Sequence, residues 1–242
     1  MSIRALPQKY DVTAAVAEID RQPDVWNRYR DRLDRYGSPH THVDDIWVRF
    51  NAIENMEKDK IAFFQGEHES VWYPVADQLP AVRALVETVY SDVGGSKLGG
   101  VLITRIPPGS SVSPHIDTGW HAGHYEKFAV QLKGNAQQAF CFQDARLSSL
   151  PGDLYTFDNS KLHWVTNDSD EDRMTLIICI KGASPMLKPS EVIPFDLYFA
   201  SLMSMQAHPG AGTKEHRRLT MQECSDMAVE MVMIRRRTIE GN

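Results

Sequence analysis

The chain is poor in cysteine, has no long apolar run and carries no excess of positive charge, and each absence removes a class of protein. Its three cysteines, Cys141, Cys179 and Cys224, are odd in number and lack C-x-x-C spacing. Neither a disulfide framework nor a zinc ribbon is indicated, and buried reduced thiols are expected. No apolar stretch reaches the roughly 20 residues that span a bilayer, and the N-terminal MSIRALPQKYD lacks the apolar centre of a signal peptide. A cytoplasmic protein with no membrane partner is expected. The net charge of −6 argues against a phosphate-tracking surface, so no nucleic-acid partner is expected. The short basic runs His216–Arg218 and Arg235–Arg237 read as solvated helix ends.

What is present is an ordinary globular composition: 242 residues, 42% apolar and 24% charged, enough for one substantial core. Residues 11–36 read as helical, with Val12, Ala15, Val16 and Ile19 at helical spacing and, after Pro23, Val25, Tyr29, Leu33 and Tyr36 before Gly37 stops the run. The stretch DDIWVRFN (44–51) alternates Ile46, Val48 and Phe50 with Trp47, Arg49 and Asn51, a strand with one face free for other work. Residues 52–77 carry no clear period. Pro80 opens a further helix whose stripe of Val82, Leu85, Val86 and Val89 ends at Gly94–Gly95. From 100 to 181, short β-rich runs such as VLITRI, KFAVQL, LYTF and MTLIICI are separated by turn clusters, the pattern of a sandwich or barrel. Helical patterning returns at Thr220-x-x-Glu223, which resembles a capping box, with Cys224, Met227, Met231 and Ile234 on one stripe. That stripe reads as a core-docking face. A homodimer through it is the alternative, and the oligomeric state stays open.

The chemistry-bearing residues lie in PPGSSVSPHIDTGW (107–120) and DNSKLHWVTNDSDEDRMTLIICI (158–180). Residues two apart in a strand point the same way, so His115 and Asp117 aim at one side. His163 opens another alternating run that β-pairing can set opposite them. Two imidazoles and a carboxylate on one face of iron(II) leave positions open, the facial triad of non-haem iron oxygenases. Ten residues on, Arg173 offers the donor fork that grips a carboxylate, and a hairpin of 163–167 with 173–180 would place it one strand from the metal. On the residues alone, a His-x-Asp pair also arises by chance, and a single His163 is as readily a packed core histidine.

The segments RIPPGSSVSPHID (105–117) and FDNSKLHWV (157–165), with Arg173, resemble the aspartyl/asparaginyl β-hydroxylase family of iron(II)/2-oxoglutarate oxygenases, which includes bacterial proline hydroxylases. The resemblance covers roughly residues 40–181. It implies a mainly β fold with flanking helices, a double-stranded β-helix (jelly-roll, cupin-like) barrel. It also implies iron bound by His115, Asp117 and His163, and the distal carboxylate of 2-oxoglutarate on Arg173, with O₂ as the second cosubstrate. Thr104 stands where the family often places a small hydroxyl near that carboxylate, and Lys127 where members commonly carry Arg. Lysine is a point charge and not a fork, so Lys127 would hold a carboxylate with less geometric control. The expected organisation is a single oxygenase domain over 1–242, with a helical and strand part (1–100), a barrel core carrying the metal site (101–181) and a helical extension (182–242).

Substrates used by relatives range over free amino acids, peptide side chains and acyl chains, and the expectation here is a small-molecule or peptide substrate hydroxylated on an amino acid. Arg49, on the face opposite Ile46, Val48 and Phe50, can hold a substrate carboxylate, against a default of facing solvent. Trp120 can wall a pocket, and His124, with His121, lies in TGWHAGHYEK, a stretch able to arch over the iron; core packing and a loop histidine without a ligand role are the plainer readings. His40 and His42 read as part of a polar turn. Two rivals stand beside the oxygenase: a non-catalytic cupin-like binding module, and a redox-inert metalloenzyme on the same fold. Arg173 counts against the latter, which has no need of a carboxylate fork.

Overall fold

The protein is described by a computed structural model over residues 2–183. The helical extension expected beyond them, with its capping box, its Met-rich stripe, Cys224 and the dimer it would serve, lies outside the described residues. Among the described residues, eleven strands and seven α-helices follow in the order β1 (Ile3–Lys9), α1 (Thr13–Asp20), α2 (Asp31–Asp34), β2 (Asp44–Asn51), α3 (Glu54–Lys58), α4 (Lys60–Gln65), β3 (Ser70–Trp72), α5 (Val75–Gln78), α6 (Pro80–Asp92), β4 (Lys97–Ile106), β5 (Ser111–His115), α7 (Trp120–His124), β6 (Glu126–Lys133), β7 (Gln138–Phe142), β8 (Arg146–Leu147), β9 (Asp153–Phe157), β10 (His163–Asn167) and β11 (Arg173–Lys181).

The strands form a seven-stranded sheet, order β1-β9-β6-β11-β4-β2-β3, and a four-stranded sheet, order β5-β10-β7-β8. From β4 to β7, and again from β8 to β11, consecutive strands alternate between the sheets, with antiparallel pairing throughout. The chain therefore winds as a double-stranded β-helix. Period-2 alternation then sorts the side chains. On β11, Met174, Leu176, Ile178 and Ile180 join the core beneath α1 and α6, while Arg173, Thr175, Ile177 and Cys179 face the space between the sheets. The stripe of α6, Val82, Leu85, Val86 and Val89, is buried in that same core as its spacing predicts. Among the described residues, no helix is long and apolar enough to cross a membrane.

Four local expectations need correction. Residues 11–36 do not form the extended helical stretch expected, only α1, a 3-10 turn at Pro23–Val25 and the single turn α2: Asn27 adopts a positive φ of 56° and its side chain ties to Asp44 and Asp45, which breaks the run, and Tyr36 stands fully exposed. A strand, β1, forms where none was expected, because Pro7 argues against a central strand yet is tolerated on an edge. Between 52 and 77 lie α3, α4, β3 and α5. In β2 neither face is free, since Ile46, Trp47 and Val48 are all buried. A register shift between Trp47 and Arg49 breaks the alternation, so that Trp47, Arg49 and Phe50 all line the interior cavity.

The turn before β9 depends on glycine. Gly152 has φ of 87°, and a Cβ there would run into the Tyr10 carbonyl, while Tyr10 N–H donates to the Gly152 carbonyl at 3.0 Å. Gly152→Ala is expected to destabilise the protein by about 1–3 kcal/mol. Urea unfolding measures it; an unchanged midpoint would refute the strain argument.

Candidate metal centre and its cavity

His115 ends β5 and His163 begins β10, and the two are direct partners in the antiparallel ladder. Their rings lie 4.3 Å apart between centroids. Asp117 stands just beyond the end of β5, so strand alternation alone does not aim it. It is placed by Asn159, whose carbonyl accepts the Asp117 N–H at 3.0 Å and whose Nδ2 donates to the carboxylate at 3.1 Å. The ligand atoms of His115, Asp117 and His163 all lie within 4.8 Å of one another, and this is the one such cluster among the described residues.

Backbone carbonyls set both tautomers. His115 Nδ1 lies 2.8 Å from the Ser113 carbonyl and His163 Nδ1 lies 2.8 Å from that of Lys161. A carbonyl only accepts, so each Nδ1 carries a proton and Nε2 is the nitrogen left to offer a lone pair to a metal. Burial, with His163 nearby, lowers His115 to about 4 and keeps it neutral. Burial by itself would raise Asp117, but the charge of Lys127, then the two imidazoles and the Asn159 bond, outweigh it and hold the carboxyl below its ordinary range. Two imidazoles that present Nε2 and one carboxylate make a donor set that fits a divalent first-row metal and leaves positions open.

The centre opens on a cavity of about 240 Å³ between the sheets. Arg173 lines it with 3% of its surface exposed, donating to Thr175 Oγ1 at 2.6 Å and to the Tyr155 hydroxyl at 3.1 Å. No carboxylate among the described residues forms an ion pair with it. The expected hairpin of 163–167 with 173–180 does not form: β10 and β11 belong to opposite sheets, and the 168–172 turn is a crossover. Arg173 therefore faces the triad's strands across the barrel instead of sitting one strand away. Thr104 is buried in the cavity wall, in register with Thr175. Lys127 lies in the wall too, its Nζ 3.0 Å from Cys179 Sγ; burial would lower it, yet Cys179 and Asp117 beside it hold it above its ordinary value.

The structure treats the three substrate candidates differently. Arg49 lines the cavity, but its guanidinium donates to the carbonyls of Gly99 (3.0 Å) and Leu98 (3.3 Å) and lies over Trp72, with Arg83 also against that ring. Trp120 and His124, four apart on α7, stack on each other at 4.2 Å, and neither reaches the cavity. His121, between them, points inward and accepts the Gly100 N–H on Nε2 at 3.0 Å, pinning α7 to β4. Sequence reasoning missed Asn159, Tyr155, Thr175 and Arg32, and assigned His40 to a turn. His40 is buried in the cavity wall with its ring 4.7 Å from that of His115.

No curated protein matches the chain. Among solved structures, it is similar to an oxidoreductase of the 2OG-Fe(II) oxygenase family from Burkholderia pseudomallei (12% identity over 75% of this chain and 95% of that one, TM-score 0.42). It is also similar to a Pseudomonas putida prolyl-4-hydroxylase (15%, 74% and 92%, TM-score 0.42). A third is a Trichoplax adhaerens prolyl hydroxylase, solved with a peptide fragment of the hypoxia inducible factor oxygen degradation domain (11%, 74% and 83%, TM-score 0.45). The family model described as aspartyl/asparaginyl beta-hydroxylase matches residues 25–182, well over half of the sequence, and the chain belongs to that family.

Proposed function

We propose that the protein is an iron(II)- and 2-oxoglutarate-dependent oxygenase that hydroxylates a free amino acid or an amino-acid side chain in a short peptide. The observation that carries this reading is the pairing, in one cavity, of the His115–Asp117–His163 cluster with a buried guanidinium that pairs with no carboxylate among the described residues. Iron(II), 2-oxoglutarate and O₂, when bound, supply the oxidising power for C–H hydroxylation.

His115 and His163 offer their Nε2 lone pairs and Asp117 its charge, while Asn159 fixes the direction of the carboxylate. Arg173, steadied by Thr175 and Tyr155, presents its remaining donors to the distal carboxylate of the cosubstrate. Thr104 adds a hydroxyl on the same wall. Lys127 contributes positive charge beside Asp117, and Phe140, Phe157, Val112 and Val165 keep the lining dry.

Two measurements test the reading. Under nitrogen, iron(II) and 2-oxoglutarate together should give a weak visible charge-transfer band that oxygen bleaches, and aerobically the protein should make succinate. A protein that shows neither is not this oxygenase. Removing the partner that orients Asp117 should also tell: Asn159→Ala is expected to weaken manganese(II) binding about ten- to a hundredfold. A calorimetric titration with unchanged affinity would leave Asn159 without that role.

A further inference from the structure

Two arginines besides Arg173 line the cavity, and they are held in different ways. Arg49 spends its donors on backbone carbonyls and its face on Trp72, on the side of the cavity toward Gly99. Arg32 sits by the triad. Its Nη1 lies 2.6 Å from Asp45 Oδ2, its Nη2 lies 3.0 Å from both ring nitrogens of His40, and the His40 ring packs edge-on against His115. The Arg32 side chain keeps 21% of its surface open, while that of Asp45 beneath it has none. Of the five N–H donors on a guanidinium, those contacts leave several unspent.

The mount is costly. Asp45 is a fully buried carboxylate whose Oδ1 has no hydrogen-bond partner among the described residues, and burial pushes its pKa up against the pull of Arg32. A buried ion pair of this kind adds little stability over apolar residues of the same shape, so holding one group in a set direction is its better-attested use. Asp45, Thr104 and Thr175 are in register across β2, β4 and β11, which sets the Arg32 mount two strands, about 10 Å, from the strand of Arg173 and its cosubstrate end.

We propose that Arg32, held by Asp45 and His40, is the specificity-determining residue that grips a free carboxylate of the substrate beside the triad. This rests on the oxygenase reading and deepens it: the substrate is an acid, such as a free or N-acylated amino acid, and its carboxylate is read by Arg32 and not by Arg49. The placement suits the chemistry, because hydroxylation at one carbon requires that carbon to be held in a fixed place relative to the metal. A guanidinium mounted against His40, whose ring packs on His115, fixes it better than Arg49, whose donors and face are engaged by backbone carbonyls and Trp72.

The test uses matched probes: free L-amino acids and N-acetyl amino acids, each against its C-terminal carboxamide. Binding is read by calorimetry on the manganese(II)- and 2-oxoglutarate-loaded protein under nitrogen. Wild type is expected to prefer the best acid over its amide by about tenfold or more, the scale of one charge-assisted bond at a part-exposed site. Arg32→Gln should erase that preference with manganese affinity kept, Arg32→Lys should leave part of it, and Arg49→Gln should retain it. Equal binding of acid and amide by wild type, binding of no acid at all, or a full preference surviving in Arg32→Gln would each overturn the proposal. If Arg32→Gln does not fold, Arg32→Lys decides, and an undiminished preference there overturns it. Failure of the oxygenase reading would show separately, as a wild type that makes no succinate from 2-oxoglutarate with iron(II) and O₂.

Discussion

His115→Ala, Asp117→Ala and His163→Ala are each expected to abolish iron(II)-dependent formation of succinate from 2-oxoglutarate, while the barrel still unfolds cooperatively. The three side chains converge at the ends of strands, with His163 against the edge of the smaller apolar core, and each supplies a donor that water cannot replace at the same fixed position. The variants should differ in stability. The His163 ring packs against Phe140, Phe142 and Phe157, so its removal leaves a void and should cost about 1–3 kcal/mol, more than removal of the less enclosed Asp117. Acid dependence gives a second signature for His115. Burial, with the His163 ring beside it, depresses its folded pKa from 6.5 to about 4, so the unfolded chain takes up the proton first as pH falls. The metal-free protein should therefore lose stability between about pH 6.5 and pH 4, and His115→Ala should lose less across that window. Any one of the three Ala variants with near wild-type, iron-dependent turnover would remove that residue from the ligand set.

Much of this site could be read from the sequence, for reasons that also mark where reading stops. The His-x-Asp pair, the later His163 and the alternation of β4, β6 and β11 are local patterns, and local patterns survive folding. The crossover at 168–172 was not legible, because a polar DSDED turn looks the same whether the next strand pairs with the last or crosses to the other sheet. The faces of β2 went astray at one register shift, since a single extra residue sends every later side chain to the other face. Read from the sequence, Trp120 is able to wall a pocket and His124 to arch over the iron; a helical turn puts positions four apart on one side, and here the two stack on each other on α7 and do not line the cavity. Arg32 and His40 carry no periodic signal at all. Only the approach of α2 and the 38–43 segment to Asp45 and His115 gives them a place in the cavity.

Arg173→Ala is expected to raise the 2-oxoglutarate requirement about a hundred- to a thousandfold, with manganese(II) affinity little changed. The size follows from burial. Removing one partner of a buried, hydrogen-bonded charge pair costs about 3–5 kcal/mol, and Arg173, with 3% of its surface exposed, is screened too little by water for that figure to be discounted. The selectivity follows from topology, because Arg173 stands on the seven-stranded sheet while His115 and His163 belong to the four-stranded one, so the metal donors do not lean on it. Arg173→Lys separates charge from shape. It keeps the cation but loses the fork that reaches Thr175 and Tyr155 together, and it should fall between wild type and Ala in a 2-oxoglutarate titration followed by the charge-transfer band. A Lys variant that matches wild type would mean that the cavity asks only for a positive charge. An Ala variant with an unchanged titration would mean that the cosubstrate carboxylate lies elsewhere, with Lys127 the next group to test.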